Sequence, residues 1–430
     1  MYQLVNRPKS LIGEIDVPGD KSIAHRALLL NSLARGISVV RGVPAGDDVR
    51  ATERCLKDLG VQIERINSSS DVQIHGSEGN LRESVYNLDA GNSGTTMRLL
   101  SGALASQPFT SVITGDRSLI SRPMDRVIKP LNLMGALVSG GIKDSLPPLT
   151  IKGGLLHGIE YNLPIASAQV KSCIMIAALR ASTSTVIHQP ALSRDHTERM
   201  MDIMGGKVIQ RDLQLEVFPG VLNSSDLTIP GDISAAAFWM VAGICHSDSR
   251  LTIKNTGMNP GRVGIIEALQ SMGAKLVFEK QYVEAGEPCA DVVVESSSLV
   301  GVEIGGDLIP RIIDEIPVLA VAACFAKGTT VIKDASELRV KESDRIRTTV
   351  TELSKMGASI EERPDGMVIH GKGKLEGAEV ESHGDHRLAM ALGIAGLLAD
   401  KDTIIDEANA VDVSYPLFWE QIDLLVKESI

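Results

Sequence analysis

Lysine, serine and arginine side chains crowd the start of a predicted helix near the N-terminus. Lys21, Ser22 and Arg26 follow the tripeptide Pro18-Gly19-Asp20, and the apolar run 27–34 predicts a packed helix that ends at a glycine. The run 235–243 follows a second Pro-Gly-Asp tripeptide and predicts a similar helix that ends at Gly243. Because the free N–H groups and the dipole of a helix start already favour an anion, these side chains could bind one. Taken alone, the segment is more simply interpreted as a capped helix with a solvated lysine and arginine.

Five similar phrases, each with a glycine at its centre, indicate that the chain is built from repeats. The glycines lie 68 to 84 residues apart, which is too far for a solenoid. Each phrase closes an amphipathic helix, and an apolar helix followed by a β-branched strand lies before it. The phrases are Leu59-Gly60-Val61, Met134-Gly135-Ala136, Met204-Gly205-Gly206, Met272-Gly273-Ala274 and Met356-Gly357-Ala358. A sixth, incomplete copy runs from Asp385 to Leu425.

The starts of the six units differ in charge between the two halves of the chain. Units one to three begin with residues that favour anions, namely Lys21, Ser22 and Arg26; Asn92, Ser93, Gly94, Thr95 and Arg98; and Ser167, Ala168, Gln169 and Lys171. Units four to six begin with acidic residues, namely Asp232; Asp314 and Glu315; and Asp385 with His386 and Arg387. Further arginines stand nearby, at positions 117, 122, 194, 339 and 345. An arginine-rich cleft with a few carboxylates suits a reaction between two multiply charged small acids.

Each charged segment also has a purely structural interpretation. Asp232, Asp314 and Asp385 could be helix N-caps. The run Lys341-Glu342-Ser343-Asp344-Arg345 could be a solvated helix with i,i+3 ion pairs. The histidines of His383-Gly384-Asp385-His386 have a ligand-like spacing, but no Cys, Glu or third His completes a zinc site, so no metal is expected. A shared function is favoured because the charged segments occupy equivalent ends of repeated units.

Length and composition describe a globular protein of more than one domain. The 430 residues exceed the usual size of a single core, with 43% hydrophobic and 23% charged residues. A net charge of -11 and only 3% aromatic residues argue against a nucleic-acid surface. Five scattered cysteines predict reduced thiols in a cytoplasmic protein. No secretory leader is recognisable, and the apolar runs are too short to cross a membrane.

The order of elements predicts an α/β protein, because strands alternate with helices throughout. Six units and two Pro-Gly-Asp tripeptides, 18–20 and 230–232, divide into three units plus three, with the tripeptides as hinges. One domain would span residues 20–230, and the other residues 1–19 and 231–430. No Gly-x-Gly-x-x-Gly follows a strand, and the segment 92–96 lacks the Gly-Lys-Ser/Thr ending of a P-loop.

Five motifs, in order and over nearly the whole chain, resemble the 5-enolpyruvylshikimate-3-phosphate synthase family. They are Pro-Gly-Asp-Lys-Ser-Ile-Ala-His-Arg at 18–26, Gly-Asn-Ser-Gly-Thr-Thr-Met-Arg at 91–98, Ser-Ala-Gln-Val-Lys-Ser at 167–172, Arg-Val-Lys-Glu-Ser-Asp-Arg at 339–345 and Asp-His-Arg at 385–387. The resemblance implies two domains, each an inside-out α/β barrel of three βαβαββ repeats, that close over the ligands. It implies a cytoplasmic monomer that needs no metal or organic cofactor.

The same resemblance implies a reaction. The enolpyruvyl group of phosphoenolpyruvate would pass to the 5-hydroxyl of shikimate 3-phosphate in the interdomain cleft, with release of phosphate, on the route to chorismate and the aromatic amino acids. The reaction would proceed by addition and elimination through a tetrahedral intermediate. The methylene carbon must gain a proton and later lose one, so the chemistry needs an acid that can turn base and a base for the hydroxyl.

Individual roles follow from the resemblance position by position. Shikimate 3-phosphate would be held by Lys21, Ser22, Arg26, Ser167, Ala168, Gln169, Arg194, Asp314 and Lys341. Phosphoenolpyruvate would be held by Lys21, Gly94, Arg122, Gln169, Arg345 and Arg387. Asp314 and Glu342 match the acid/base carboxylates, and Lys21, between the two ligands, is the third catalytic residue. The sequence does not separate the roles of the two carboxylates.

The chain departs from parts of the family pattern. The segment Val413-Ser414-Tyr415-Pro416 lacks a lysine that some members carry there. Arg194 follows one subclass, in which an arginine replaces a ring contact. The herbicide glyphosate competes with phosphoenolpyruvate in this family, and Thr96 and Leu99 stand where the most sensitive subclass has Ala and Pro, so sensitivity could be modest.

Two other functions fit parts of the sequence. The sister enzyme that transfers enolpyruvate to UDP-N-acetylglucosamine shares the fold but uses a reactive loop cysteine in its N-terminal half. The segment Pro288-Cys289-Ala290 is superficially similar and lies in the wrong half. A nucleic-acid-end-binding protein built on related repeats is the second alternative, which the acidic charge and few aromatic residues disfavour.

Overall fold

The chain folds into two compact units. The computed structural model describes residues 1–66, 70–141 and 144–428, without the side chains of residues 427 and 428. The middle unit comprises Gly19–Ile229 and Glu284–Glu287, and the terminal unit comprises Met1–Pro18, Pro230–Val283 and Pro288–Ile430. Two boundaries of the units fall at the Pro-Gly-Asp tripeptides, and two more enclose residues 284–287. The predicted domain bounds and the role of the tripeptides as hinges remain predictions.

Helices and strands alternate along the chain. The α-helices are α1 Lys21–Leu33, α2 Asp47–Asp58, α3 Gly94–Leu104, α4 Asp125–Leu133, α5 Ala168–Ala178, α6 His196–Ile203, α7 Ile233–Cys245, α8 Gly264–Ser271, α9 Ile309–Ile312, α10 Ile316–Phe325, α11 Arg345–Lys355, α12 His386–Leu398 and α13 Phe418–Glu428. Short 3-10 helices cover Leu119–Ser121, Gly306–Leu308, Ser336–Val340 and Ala408–Val413.

The strands are mostly short. They are β1 Gln3–Val5, β2 Leu11–Asp16, β3 Ile37–Arg41, β4 Gln62–Arg65, β5 Val72–His75, β6 Leu88–Asp89, β7 Thr110–Thr114, β8 Leu137–Ser139, β9 Leu149–Lys152, β10 Glu160–Asn162, β11 Thr185–His188, β12 Val208–Arg211, β13 Gln214–Val217, β14 Leu227–Thr228, β15 Ser249–Gly257, β16 Leu276–Glu284, β17 Glu287–Glu295, β18 Glu303–Ile304, β19 Gly328–Ile332, β20 Ser359–Arg363, β21 Gly366–Gly371, β22 Glu379–Glu381 and β23 Thr403–Asp406.

The repeats appear as small sheets of matching topology. Within the described residues, five sheets have four strands and a sixth, β1-β23-β22, has three. The order β10-α5-β11-α6-β12-β13 is one complete βαβαββ repeat, in which β10 and β11 are parallel and β13 is antiparallel to both β11 and β12. In the first repeat of each unit a distant segment supplies the outer parallel strand: β14 pairs with β3, and β2 pairs with β15.

The glycine phrases end helices, as predicted. All five phrase glycines have left-handed φ values, from +78° at Gly205 to +108° at Gly135, which a side chain would resist. One related prediction is wrong: α7 does not end at Gly243 but continues to Cys245. A Cβ at Gly243 would lie 2.5 Å from Cγ2 of Val294, so this glycine permits close packing of the helix against β17.

The central helices explain why the helical repeats are so apolar. Helices α7, α10 and α12 of the terminal unit are buried along almost their whole length, and α1, α3 and α5 are buried similarly in the middle unit. A helix that is hydrophobic all round must lie inside a core, and each unit has its own continuous core. Polar residues therefore concentrate at the helix starts. In the described parts of the chain, no helix has the length and apolar character needed to cross a membrane.

Candidate active site

The start of α1 presents a lysine held by an ion pair. Asp20 caps the helix, and its Oδ1 accepts a hydrogen bond from the backbone N–H of Ile23 at 2.9 Å. Lys21 is the first helical residue, and its Nζ lies 2.8 Å from Oδ2 of Asp48 on α2, with 17% of the lysine side chain exposed. The ammonium group is thus oriented but still reachable from solvent.

Arg26 lies one turn further along α1 and is almost fully buried. Its Nε donates to Oγ1 of Thr197 on α6 at 2.7 Å, and its Nη2 donates to Oγ of Ser172 on α5 at 2.9 Å. Its Nη1 donates to the carbonyl oxygen of Ser22 at 2.8 Å. The arginine therefore links three helices and fixes the backbone at Ser22, a predicted ligand residue.

A chain of hydroxyl groups connects α1 to the start of α3. Nδ1 of His25 lies 2.7 Å from Oγ1 of Thr52, and that oxygen lies 2.6 Å from Oγ1 of Thr96. Thr96 in turn donates to Oγ of Ser93, the N-cap of α3, at 2.8 Å. Burial, followed by the nearby charges of Lys21 and Arg26, lowers the pKa of His25 well below 6.5. The ring is therefore neutral near pH 7 and adds no charge to this cluster.

Two arginines surround the first residue of α3. A Cβ built on Gly94 would lie 2.9 Å from Nη1 of Arg98 and 3.4 Å from Nη1 of Arg122. Arg122 is 8% exposed, and its Nη2 donates to Oδ1 of Asn92 at 2.9 Å. Arg98 donates to Oε1 of Gln169 on α5 at 2.6 Å. The missing side chain at Gly94 lets both guanidinium groups approach the first turn of α3 closely.

The third helix start of the middle unit is capped by a predicted ligand residue. Oγ of Ser167 accepts from the backbone N–H of Val170, and α5 begins at Ala168. Nε2 of Gln169 donates to Oγ1 of Thr95 at 2.8 Å, which joins α5 to α3. Arg194 is half-buried in the loop that leads from β11 to α6. The middle unit thus contains nine predicted site residues: Lys21, Ser22, Arg26, Gly94, Arg122, Ser167, Ala168, Gln169 and Arg194.

The predicted site residues of the terminal unit surround Arg345, whose side chain is 1% exposed. Its Nε and Nη2 donate to the two oxygens of Asp385 at 2.7 and 3.1 Å. Nη2 also donates to Oε2 of Glu342 at 2.6 Å, and Nη1 lies 3.5 Å from Oδ1 of Asp314. Nζ of Lys341 lies 3.9 Å from the same Asp314 oxygen. The two predicted acid/base carboxylates therefore share one arginine.

The carboxylates around Arg345 keep its guanidinium group charged. Burial opposes the guanidinium charge, but Asp385 and Glu342 outweigh burial and raise the pKa of Arg345 above its ordinary value. Asp314 and Glu342 are 18% and 16% exposed, so each carboxylate touches both the arginine and solvent. Such a position gives each carboxylate a fixed cation beside it and a route for protons to and from solvent.

Arg387 lies beside a second acidic group at the start of α10. Its Nη1 is 4.0 Å from Oε1 of the buried Glu315. Glu315 also accepts a hydrogen bond from the hydroxyl of Ser234, which in turn accepts one from Nη2 of Arg262 at 2.5 Å. Arg262 lies 3.1 Å from Oδ1 of Asp232 as well. Arg262 was not predicted as a site residue, because it follows an ordinary Asn-Pro-Gly turn.

The structural interpretations of the charged segments are partly right. Asp232 and Asp385 are N-caps of α7 and α12, and they also pair with arginines. Asp314 is not the cap of α10, since that position belongs to Glu315. The run 341–345 is not a solvated helix, because α11 begins at Arg345 and that side chain is buried. Among the described residues no group of three or more His, Cys, Asp or Glu could hold a metal ion.

Glu352 anchors the loop that precedes α12, and its environment gives a testable pH dependence. Its carboxylate, with 0% of the side chain exposed, accepts from Lys355, from the backbone N–H of Glu381 and from His383 at 2.7 to 3.0 Å. Burial would raise the pKa of Glu352, but these hydrogen bonds outweigh burial and lower it below 4.5. Its stabilising contribution is therefore present above that value and is lost as pH falls through the folded-state pKa.

We expect Glu352→Gln to reduce the free energy of unfolding at pH 7 by about 1–3 kcal/mol, because Lys355 and His383 lose a charged acceptor. The difference from the parent should shrink as pH falls below about 4. Thermal unfolding of both proteins between pH 3 and 8 measures it, with the exposed Glu361→Gln as control. A difference that stays constant over this range would contradict the assignment.

Several groups that position the predicted site residues within each unit were not themselves predicted as site residues. Asp48, Ser172 and Thr197 position Lys21 and Arg26, and Asp385 positions Arg345. Asp385 was recognisable as a helix start, but its pairing with an arginine 40 residues away was not. Ser172 ends the motif at 167–172 but was assigned no role, and Thr197 carries no recognisable signal because threonine is common on helix surfaces.

The helix starts of the middle unit present a lysine and arginines, and those of the terminal unit present arginines with carboxylates. Such groups are typical of proteins that bind small, multiply charged acids. A sequence model of the family EPSP synthase (3-phosphoshikimate 1-carboxyvinyltransferase) matches residues 5–422. The chain belongs to this family.

Individual relatives agree with the family match. Proteins named 3-phosphoshikimate 1-carboxyvinyltransferase from Bacillus thuringiensis (strain Al Hakam), Bacillus cereus (strain B4264) and Bacillus anthracis are each 50% identical over 418 residues, which cover 97% of this chain and 97% of each relative. A solved structure of EPSP synthase from Acinetobacter baumannii has a TM-score of 0.87 and 41% identity, covering 100% of this chain and 98% of that chain. The predicted α/β fold class is thereby confirmed.

Proposed function

We propose that the predicted residues of both units carry out the reaction of this family. The protein is a 3-phosphoshikimate 1-carboxyvinyltransferase, which transfers the enolpyruvyl group of phosphoenolpyruvate to shikimate 3-phosphate in the shikimate pathway. Which residues bind and which transfer protons is the proposal, as are the monomeric state and cytoplasmic location implied by the resemblance.

In the middle unit, the three helix starts bind the negative charges of the substrates. Lys21, Ser22, Arg26, Ser167, Ala168, Gln169 and Arg194 bind shikimate 3-phosphate, together with Asp314 and Lys341 of the terminal unit. Lys21, Gly94, Arg122 and Gln169 bind phosphoenolpyruvate, together with Arg345 and Arg387. Bringing two anions together is unfavourable in water, so fixed cations lower the barrier before any bond changes.

In the terminal unit, Asp314 and Glu342 move the protons. One carboxylate takes the proton of the 5-hydroxyl as its oxygen attacks C2 of phosphoenolpyruvate, while the other gives a proton to C3, which becomes a methyl group. The tetrahedral adduct then loses phosphate from C2, and a methyl proton returns to the carboxylate that supplied it. The pairing of both carboxylates with Arg345 is the observation that carries this assignment.

The cysteine chemistry of the UDP-sugar enzyme finds no support in the thiols of this chain. Cys55 and Cys173 of the middle unit are buried in α2 and α5, where burial raises the pKa of each to about 12. Cys289 is 2% exposed within β17, so it is not a loop residue. The thiols therefore resemble core residues and lack the exposed, acidic character of a reactive cysteine.

Phosphate release from phosphoenolpyruvate tests the proposed function directly. Shikimate 3-phosphate should support continuous release, whereas UDP-N-acetylglucosamine should not exceed the rate without any acceptor. Release with the nucleotide sugar alone would establish the sister activity instead. If neither acceptor supports phosphate release, both enzymatic assignments are contradicted.

The close approach of Arg98 and Arg122 to Gly94 predicts how the binding of a competitive inhibitor will respond to a methyl group at this position. Because Gly94 is not in the left-handed region, alanine is sterically allowed for the backbone, and only the two arginine side chains oppose it. We expect Gly94→Ala to weaken the binding of glyphosate more than the binding of phosphoenolpyruvate, since the inhibitor is longer. A misfit of about 1–3 kcal/mol corresponds to a rise of roughly 5-fold to 100-fold in the inhibitor constant.

The ratio of the glyphosate inhibitor constant to the Michaelis constant for phosphoenolpyruvate measures this effect. Gly154→Ala is a matched control, because nothing lies within 4 Å of a Cβ at Gly154 in the same unit. An unchanged ratio in Gly94→Ala would show that this glycine does not face the phosphoenolpyruvate site.

A further inference from the structure

One buried lysine of the middle unit lies outside the set assigned to the substrates. Lys171 follows Gln169 by two residues on α5, and 1% of its side chain is exposed. Its Nζ lies 2.5 Å from Oε1 of Glu198 and 3.4 Å from the carbonyl oxygen of Ser193. A buried ion pair often stabilises a protein no better than apolar side chains of similar volume would. The pair is therefore worth examining for a role other than stability.

The partners of Lys171 flank the residue proposed to bind shikimate 3-phosphate. Ser193 precedes Arg194 directly, and Glu198 lies in the first turn of α6. One ammonium group thus fastens both ends of the segment 193–198 to α5. Any shift of this ammonium would move the backbone that carries Arg194.

A second contact ties the same turn to the substrate-binding helices. Oγ1 of Thr197 lies 2.6 Å from Oγ of Ser172 on α5 and accepts from Nε of Arg26 at 2.7 Å. The first turn of α6 is consequently held by α5 at two adjacent residues, Thr197 through a hydroxyl and Glu198 through a charge. The hydroxyl contact involves only Thr197. The ammonium group of Lys171 contacts both Glu198 and Ser193, which lie on either side of Arg194 in the sequence.

Glu198 depends strongly on this lysine. Both of its carboxylate oxygens are buried, and neither accepts a hydrogen bond from residues 1–66, 70–141 and 144–428, so Oε1 has only the ion-pair contact with Lys171. A carboxylate without hydrogen-bond donors is costly to keep in the interior unless its cation stays close. The position of the first turn of α6 is thus coupled to the position of Lys171.

We propose that Lys171 and Glu198 are positioning residues for shikimate 3-phosphate, acting through the segment 193–198 on Arg194. This inference rests on the proposed role of Arg194 and adds the means by which that arginine is placed. Neither member of the pair touches the substrate. Phosphoenolpyruvate, whose proposed ligands are other residues, should be affected much less.

The test compares Lys171→Met, Glu198→Gln and the double variant Lys171→Met/Glu198→Leu with the parent protein. Each single variant should raise the Michaelis constant for shikimate 3-phosphate on the order of 10-fold, because small displacements of a binding group have large effects. The constant for phosphoenolpyruvate should change less than about 2-fold. The double variant removes both charges and should recover the parental melting temperature, yet it should keep the defect for shikimate 3-phosphate.

Two further variants serve as controls: one for the loss of a buried carboxylate elsewhere in the unit, and one for the proposed role of Arg194. Glu53→Gln is a matched control, because Glu53 has the same 9% exposure as Glu198 and is ion-paired in the same unit, with Lys57 and Arg65. It should leave both Michaelis constants unchanged. Arg194→Ala should raise the constant for shikimate 3-phosphate at least as much as the double variant does.

The outcomes are distinguishable. If Arg194→Ala is impaired but the double variant binds shikimate 3-phosphate normally, the pair has only a structural role and this inference is wrong. Equal losses for both substrates in the double variant would also overturn it. If Arg194→Ala binds shikimate 3-phosphate normally, the proposed role of Arg194 fails, and the inference fails with it.

Discussion

Asp314→Asn and Glu342→Gln should each lower turnover on the order of 10²-fold or more. Both replacements keep the shape of the side chain but remove the ability to accept and return a proton. Arg345 keeps its bonds to Asp385 in either variant, so the surrounding structure should persist. Steady-state turnover at saturating substrates measures the loss, and equilibrium binding of shikimate 3-phosphate by calorimetry shows whether the site still forms.

A nearby acidic residue serves as the control for these variants. Asp307 is exposed and lies in the 3-10 helix before α9, so Asp307→Asn should retain parental turnover. Near-parental turnover in Asp314→Asn or in Glu342→Gln would show that the residue concerned only pairs with Arg345. The assignment of that carboxylate to a proton transfer would then be withdrawn.

Arg345→Met should damage both stability and the binding of phosphoenolpyruvate. The substitution leaves the fully buried Asp385 without the arginine that neutralises it, and breaking such a pair costs about 3–5 kcal/mol. It also removes a proposed ligand of phosphoenolpyruvate, so saturation with that substrate should be lost. Urea unfolding and the dependence of the rate on phosphoenolpyruvate concentration measure the two effects.

A double variant separates the two roles of Arg345. In Arg345→Met/Asp385→Asn the buried charge is removed, while the asparagine can still accept the N-cap hydrogen bond of α12. We expect this protein to recover part of the lost stability but none of the affinity for phosphoenolpyruvate. Recovery of normal saturation would mean that Arg345 is structural and does not contact the substrate.

Much of the fold could be predicted because local sequence patterns identify the repeats. A glycine such as Gly60 or Gly273 ends each amphipathic helix in a left-handed conformation, and β-branched residues follow. The exception at Gly243 has a physical cause. Close packing against Val294 requires a glycine in the middle of α7, and a sequence pattern cannot distinguish that requirement from a helix end.

The candidate site could be predicted where a residue type belongs to a recognisable motif, and not where it acts through distant partners. Lys21 and Arg345 stand in motifs that identified them. Their counter-ions, Asp48 and Asp385, are brought close only by the tertiary fold, at separations of 27 and 40 residues. The burial of Lys171 was equally hidden, because the sequence alone presents it as one more cation at a helix start.

The product formed in deuterated water tests the central claim most directly. The protein is incubated with phosphoenolpyruvate and shikimate 3-phosphate in deuterium oxide, and the product is examined by mass spectrometry and proton NMR. If addition and elimination pass through a methyl group, the product is the enolpyruvyl ether of the 5-hydroxyl, with deuterium in its vinyl methylene. Glu342→Gln and Asp314→Asn should form this labelled product far more slowly. A product without deuterium in the methylene group, or no enolpyruvyl ether at all, would contradict the account.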